Sequence, residues 1–410
     1  MVKLKQFSRS EFSLKSSLKL LRKPRIGRNL DTSFFALINV LVSAIRIKIF
    51  ALLLAPAAFG TLGILQNLVG LLGIAANYGT ATSATSMEKQ KLKDAIGSIF
   101  TFTSSLSFIF LLILFVLPLD LDGKTKVLVG ILALFLNLTQ TMYGIRVRNL
   151  GGKVQRVLLA SSVLSLLSSA PLVWFLQGNA TLQIWTILIS QFTISFLIMF
   201  FAEPFQGWGF LKSSIPSRET FKEFLGSNSL IVMSSICPLL LLLIVRLAEN
   251  KIWGAEAAGN LNAIIVFAGA LSPVVLAPIT TNFYQEYAKH KNPSLIKTQI
   301  IYQSVFLPFM AFAALLLYEF GKVFFSEAFS FGFSSIVLML SGEIFRMYSH
   351  VFSYAKISEG RLKTLLVVDL IPFGLLLLYA SVFTGLNLVT GAGFYFVYFL
   401  SHAIANALSR

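Results

Sequence analysis

Charged side chains stand inside or at the ends of otherwise apolar stretches of this chain: Arg46, Lys48, Arg246 and Arg346 are cationic, Glu343 and Asp369 anionic. If those stretches lie in a bilayer, each charge costs on the order of 2.5 to 3.5 kcal/mol and marks either a function or a specific partner. Cations are in excess. Guanidinium groups keep their proton and present a fork that matches phosphate oxygens, so the excess suits a multiply negative ligand such as pyrophosphate. A cationic ligand would prefer the opposite balance.

Arg46 is the sharpest candidate for a substrate contact. It precedes Pro56 by ten residues, a helix rise of about 15 Å, which is near the middle of a hydrocarbon core about 30 Å thick. Thr32, Ala36, Asn39, Ser43 and Arg46 recur at steps of four and three and so share one helical face, polar and small, that is expected to line an interior. The alternative for Arg46 is a structural helix-to-helix bond. Lys48 falls roughly 200° away around the helix and can snorkel outward, which competes with a substrate role. Arg246 sits near the outer end of its stretch, where an interfacial anchor competes with a substrate contact.

Glu343 and Arg346 are neighbours on one helical face, and Asp369 lies a short way into the next stretch. Arg346 is a third arginine that could meet an anionic substrate. The group is either a charge-balanced brace or a gate or proton site. Asp31 joins Asp369 as a carboxylate that could couple a cation. Gln66, Gly70, Gly73, Asn77 and Thr80 form a further polar stripe, read as helix packing at the glycines and as either packing or a sugar-facing surface at Asn77. Phe394, Tyr395 and Tyr398 are read as interface anchors or as rings that stack on sugars. A lone cysteine, Cys237, and three scattered histidines argue against disulfide or zinc chemistry, and no cofactor is expected.

The elements that must position these groups are membrane spans. The chain has 410 residues, 56% hydrophobic and 12% charged, a composition that water would not solvate. Breaking it at charged and Pro/Gly-rich points gives twelve stretches near 29–55, 59–86, 95–117, 127–144, 157–177, 182–202, 224–245, 257–283, 299–318, 329–352, 364–384 and 386–408. The expected fold is all-α and polytopic, about twelve transmembrane helices in two six-helix lobes around a central cavity. The division is a basic N-terminal segment (1–28), an N-terminal lobe (29–203), a linker (204–223) and a C-terminal lobe (224–410).

Of 34 Lys and Arg, nine lie before Asn29 and most others fall in alternate connections, such as Lys89–Lys93, Arg146–Arg156, Lys289–Lys297 and Lys356–Lys363. By the positive-inside rule both termini are cytoplasmic. The N-terminal segment lacks an apolar run and a cleavage pattern, and reads as a retained basic tail or a surface helix on an anionic leaflet. Outward connections are all short, which leaves no room there for a catalytic domain; an enzyme is not expected. The turn Leu54–Gly60 has a counterpart at Trp253–Gly259, with Ala58/Ala257, Gly60/Gly259 and Leu62/Leu261 matching. This is the mark of two parallel repeats.

The segment KIFALLLAPAAFGTLGILQNLVGLLGIAANYG (48–79) resembles the first hairpin of the O-antigen translocase (Wzx-type) family, and GEIFRMYSHVFSYAKISEGRLKTLLVVDL (342–370) resembles its tenth span, basic loop and eleventh span. Ala57 stands where that family commonly has an acidic residue; Glu256 keeps one in the second turn. The family belongs to the multidrug/oligosaccharidyl-lipid/polysaccharide exporter superfamily. The resemblance implies a flippase carrying undecaprenyl-pyrophosphate-linked oligosaccharide from the cytoplasmic to the periplasmic leaflet of a bacterial inner membrane. Implied partners are that polyprenyl-pyrophosphate-linked glycan, membrane lipid and polysaccharide polymerase machinery, with no nucleic acid, for a monomer. A cation-coupled multidrug extruder of the same superfamily is the alternative, and a membrane-embedded polymerase is a third, less favoured reading.

Overall fold

A computed structural model describes residues 24–86, 89–116, 121–201, 218–383 and 390–409. Among them there is no strand. The helices are α1 (Pro24–Leu53), α2 (Pro56–Asn77), α3 (Thr80–Ser86), α4 (Lys89–Val116), α5 (Gly123–Leu150), α6 (Val154–Phe175), α7 (Ala180–Phe201), α8 (Arg218–Trp253), α9 (Ala255–Pro278), α10 (Tyr284–His290), α11 (Pro293–Ser304), α12 (Leu307–Phe324), α13 (Phe333–Ser358), α14 (Leu362–Phe383) and α15 (Gly391–Leu408).

They make twelve passes, because three of the passes are each built from two helices. The pass α2–α3 breaks at Tyr78 and Gly79, whose φ angles are 51° and 71°; Tyr78 caps α2 through its amide to the Ile74 and Ala75 carbonyls. The pass α9–α10 runs through a π-helical segment, Ile279–Phe283, just after Pro278. The pass α11–α12 breaks at Val305–Phe306, ahead of Pro308 in the first turn of α12, where proline is tolerated because its missing N–H would have no helical partner.

Eight stretches of the described residues are long and apolar enough to cross a membrane by length and composition. Large apolar side chains such as Leu41, Leu52, Phe108, Leu112, Leu167, Phe312 and Leu378 stand exposed around the outside, which only a hydrocarbon solvent makes stable. The chain is a multi-pass membrane protein.

The two halves repeat the same packing. Helix α1 packs on α6 as α8 packs on α14; α2 on α5 as α9 on α13; α4 on α5 as α12 on α13; α6 on α7 as α14 on α15; and α5 on α7 as α13 on α15. The lobes meet through α1 against α9 and α2 against both α8 and α9. A continuous apolar core crosses this seam, with Phe50, Phe59, Leu62 and Val69 on one side and Val245, Leu261 and Ile264 on the other.

Candidate functional site

The seam is closed near both of its ends. On the face opposite the basic connections, Gly60 and Gly259, paired by the repeat in the sequence, touch each other. A methyl on Gly60 would lie 3.0 Å from the Gly259 amide nitrogen, and one on Gly259 would collide with the Pro56 backbone. Glycine is required here because two backbones approach more closely than any side chain allows. Asn262 donates to the Phe59 carbonyl at 2.7 Å and Arg246 to the Gly63 carbonyl at 3.0 Å. Phe59 is enclosed by Phe325 and Phe329, ring centroids 6.4 and 5.7 Å away.

On the basic face the contacts are polar. Asn282 donates to Thr32 at 3.1 Å, Gln285 to the Val147 carbonyl at 2.6 Å, and Ser83 to Asn228 at 2.6 Å. Ser33 donates to the Val274 carbonyl at 2.5 Å and stands 2.5 Å from the Tyr302 hydroxyl.

Between these closures, α1 presents the face expected from its spacing. Thr32 and Ala36 are buried, Asn39, Ser43 and Arg46 are half-buried, and the exposed residues Phe34, Leu41, Ile45, Lys48 and Leu52 lie on the other side of the helix. Arg46 is surrounded by protein and keeps part of its surface open. It has no hydrogen-bond or ion-pair partner among the described residues. Two turns away on the same face, the Asn39 side-chain oxygen is buried and also unpaired. Each is expensive to bury alone, so the pair is set up to receive something that is both anionic and a hydrogen-bond donor.

Other in-span cations are placed differently. Lys48 sits on the exposed apolar stripe, apart from Arg46. Arg246 is not an interfacial anchor: it is buried and fastens α8 to α2. Arg346 gives its Nε and Nη2 to Glu343 at 2.9 and 2.6 Å. That carboxylate also accepts from Tyr395 of α15 and Ser272 of α9, so the cluster ties three helices together.

Asp369 forms a second cluster. His402 Nε2 is 2.5 Å from its Oδ1 and Ser234 donates to its Oδ2. His402 Nδ1 lies 2.7 Å from Ser349, and Asn406 links Ser349 to Lys356. A polar cavity of about 110 Å³ reaches Asp369, Ser234, His350 and His402; the buried Tyr398 hydroxyl and Ser353 Oγ on its wall have no hydrogen-bond partner among the described residues. Such a cavity has room for about three waters, which would satisfy those groups.

Several expectations are corrected. Tyr395 and Tyr398 are buried in the C-terminal lobe and are not interface anchors. Asn77 does not face a hollow: it donates to Asn137 at 3.2 Å and Thr141 at 2.9 Å, joining α2 to α5. Gly73 is a packing glycine, as expected, against Leu136 and the Ala133 carbonyl. The Asp31 side chain, the N-terminal segment before Pro24 and the linker at 204–217 lie outside the described residues. His402, Ser234 and Asn406 were not singled out by spacing, since their partners come from other helices; His402 and Asn406 stand one turn apart, the only local sign of a shared polar face.

No protein-family model matches the sequence, and no curated protein does. Solved structures do. An inward-facing multidrug resistance MATE family transporter of the MOP superfamily superposes with a TM-score of 0.65 at 14% identity, covering 94% of this chain and 96% of that one.

The chain has the fold of MATE transporters.

An outward-facing MATE transporter of the MOP superfamily matches with a TM-score of 0.60 at 14% identity, over 96% of this chain and 95% of that one. A MOP superfamily transporter from Pyrococcus furiosus, described by the reverse polarity of its binding pocket and a different function, matches with a TM-score of 0.58 at 14% identity over 96% of each chain.

Proposed function

We propose that the protein is a transporter that flips a polyprenyl-pyrophosphate-linked oligosaccharide from the cytoplasmic to the periplasmic leaflet of a bacterial inner membrane, by alternating access of its two lobes, with both termini cytoplasmic. Transport rather than enzyme chemistry is supported by the fold. The cargo class rests on one observation: Arg46, inside the membrane region, is an enclosed cation with no counter-charge among the described residues. Phosphate oxygens supply that charge, and the unpaired Asn39 oxygen accepts from a sugar hydroxyl. The apolar prenyl chain can remain in lipid while the headgroup moves between lobes. The reversed pocket polarity described for the Pyrococcus furiosus neighbour supports interior charge as what sets cargo within this fold.

The deciding experiment is reconstitution with a defined undecaprenyl-pyrophosphate glycan, scoring its arrival in the opposite leaflet. Arrival that depends on Arg46 sustains the reading; a protein that inserts and folds but moves none overturns it.

A second reading, a cation-coupled multidrug extruder, draws on the Asp369–His402 cavity, whose carboxylate and unpaired hydroxyls suit a proton or small cation. Dye efflux without glycan transport would favour it.

A further inference from the structure

On the basic face a recess of about 360 Å³ is walled by both lobes: Thr32 and the α5–α6 junction through Gly151 and Lys153 on one side, and Asn282 to His290 on the other. Lys153 and Lys289 are exposed and have no hydrogen-bond or ion-pair partner among the described residues. Glu286, on the same wall as Lys289, is already engaged.

The placement of the lysines matters more than their number. One belongs to each lobe, so closing the basic face through Asn282–Thr32 and Gln285–Val147 brings two like charges to the same recess. That repulsion opposes closure. An anion between them reverses its sign, and because both walls exist together only when the lobes meet, such an anion binds the closed form better than the open one. By linkage it then shifts the lobes toward closure. The volume, about a dozen waters, accommodates a diphosphate with part of its hydration.

We propose that this recess binds a phosphate-type anion, diphosphate in preference to monophosphate, that bridges Lys153 to Lys289 and holds the basic face shut. The site is separate from Arg46 and does not depend on the cargo assigned above.

The test uses the full chain in nanodiscs of neutral lipid. Binding of inorganic pyrophosphate is measured by equilibrium dialysis, and the seam by spin labels at Asn149→Cys and Ser294→Cys in a Cys237→Ser background. Saturable binding is expected, with a narrower and shorter label distance when pyrophosphate is present. Lys153→Ala with Lys289→Ala should weaken binding by about ten-fold or more, and Lys→Arg at both positions should restore it. Both lysines are exposed, so unchanged thermal melting and elution of the variants will exclude misfolding. Absence of saturable binding, or equal affinity in the double alanine variant, overturns the proposal. Competition by a prenyl pyrophosphate in the disc assigns the site to a lipid headgroup, and lack of competition assigns it to a soluble anion; each retains the site. In an Arg46→Ala background the component of binding that the double alanine variant removes should persist, which separates failure here from failure of the transport reading.

Discussion

Gly60 and Gly259, equivalent positions in the two repeats, face each other backbone to backbone where α2 meets α9. A residue that touches its own counterpart marks the axis relating the halves. A side chain at Gly259 meets the Pro56 backbone, which has no rotamer to offer. Gly259→Val should therefore either cost about 1–3 kcal/mol through overpacking or hold this end open. A lowered melting temperature, or faster labelling of a cysteine placed at Phe59, would register it; neither change would refute the close approach.

Arg46→Ala is expected to lower transport by about ten-fold or more, with normal insertion, because a half-buried guanidinium without a partner among the described residues contributes to ligand and not to fold. Thermal stability should stay level or rise. A clear loss of stability would instead reveal a structural bond.

The Glu343–Arg346 pair predicts the opposite behaviour. Glu343→Gln strands the Arg346 cation and leaves Tyr395 and Ser272 with a weaker acceptor, at about 3–5 kcal/mol. Replacing both, as Glu343→Gln with Arg346→Met, should recover much of that loss in a double-mutant cycle. Additive losses would exclude the pairing.

Asp369→Asn should remove dependence of transport on a proton or sodium gradient while leaving passive exchange. Gradient dependence that survives the change would reduce the Asp369–His402 pair to a brace.

Outside the membrane, Asp122 caps α5, accepting from the Thr125 amide at 3.0 Å. The Thr125 side chain and amide together hold its carboxyl below the usual carboxylate range. Because the folded value is the lower one, the cap's contribution is present above the ordinary carboxylate pKa and fades as pH falls through the depressed value. Protection of the Thr125 amide, taken relative to its intrinsic exchange rate at each pH, should fall over that acid window in the native protein and show no such step in Asp122→Ala.

Much of the architecture was legible. Twelve passes follow from apolar length, and the match of Gly60 with Gly259 located the repeat and, unexpectedly, a contact. The breaks were harder. At Tyr78 and Gly79 the run passes from apolar residues into a Thr- and Ser-rich segment, but the break itself is a matter of backbone conformation at two positive-φ residues. Pro308 was a usable signal for the other break. Within the site, Glu343 and Arg346 could be paired from their three-residue spacing, but Ser272 and Tyr395 arrive from helices far along the chain. His402 carries no signal in its spacing, because its partner Asp369 belongs to another helix. Tyr395 and Tyr398 fall near a sequence terminus but face the lobe interior, a matter of helix rotation that composition does not record.

The π-helical turn at Ile279–Phe283 separates two parts of one pass that serve different closures. Asn262 and Gly259 lie above it; Asn282, within it, and Gln285, just beyond, clasp Thr32 and Val147. A wide turn of this kind stores one surplus residue of winding, and letting that surplus migrate rotates the lower segment without unthreading the upper. Under the alternating access proposed above, the pass would work like a shaft with a coupling in it: one end unlatches while the other stays fastened, so a cargo need never find both doors ajar.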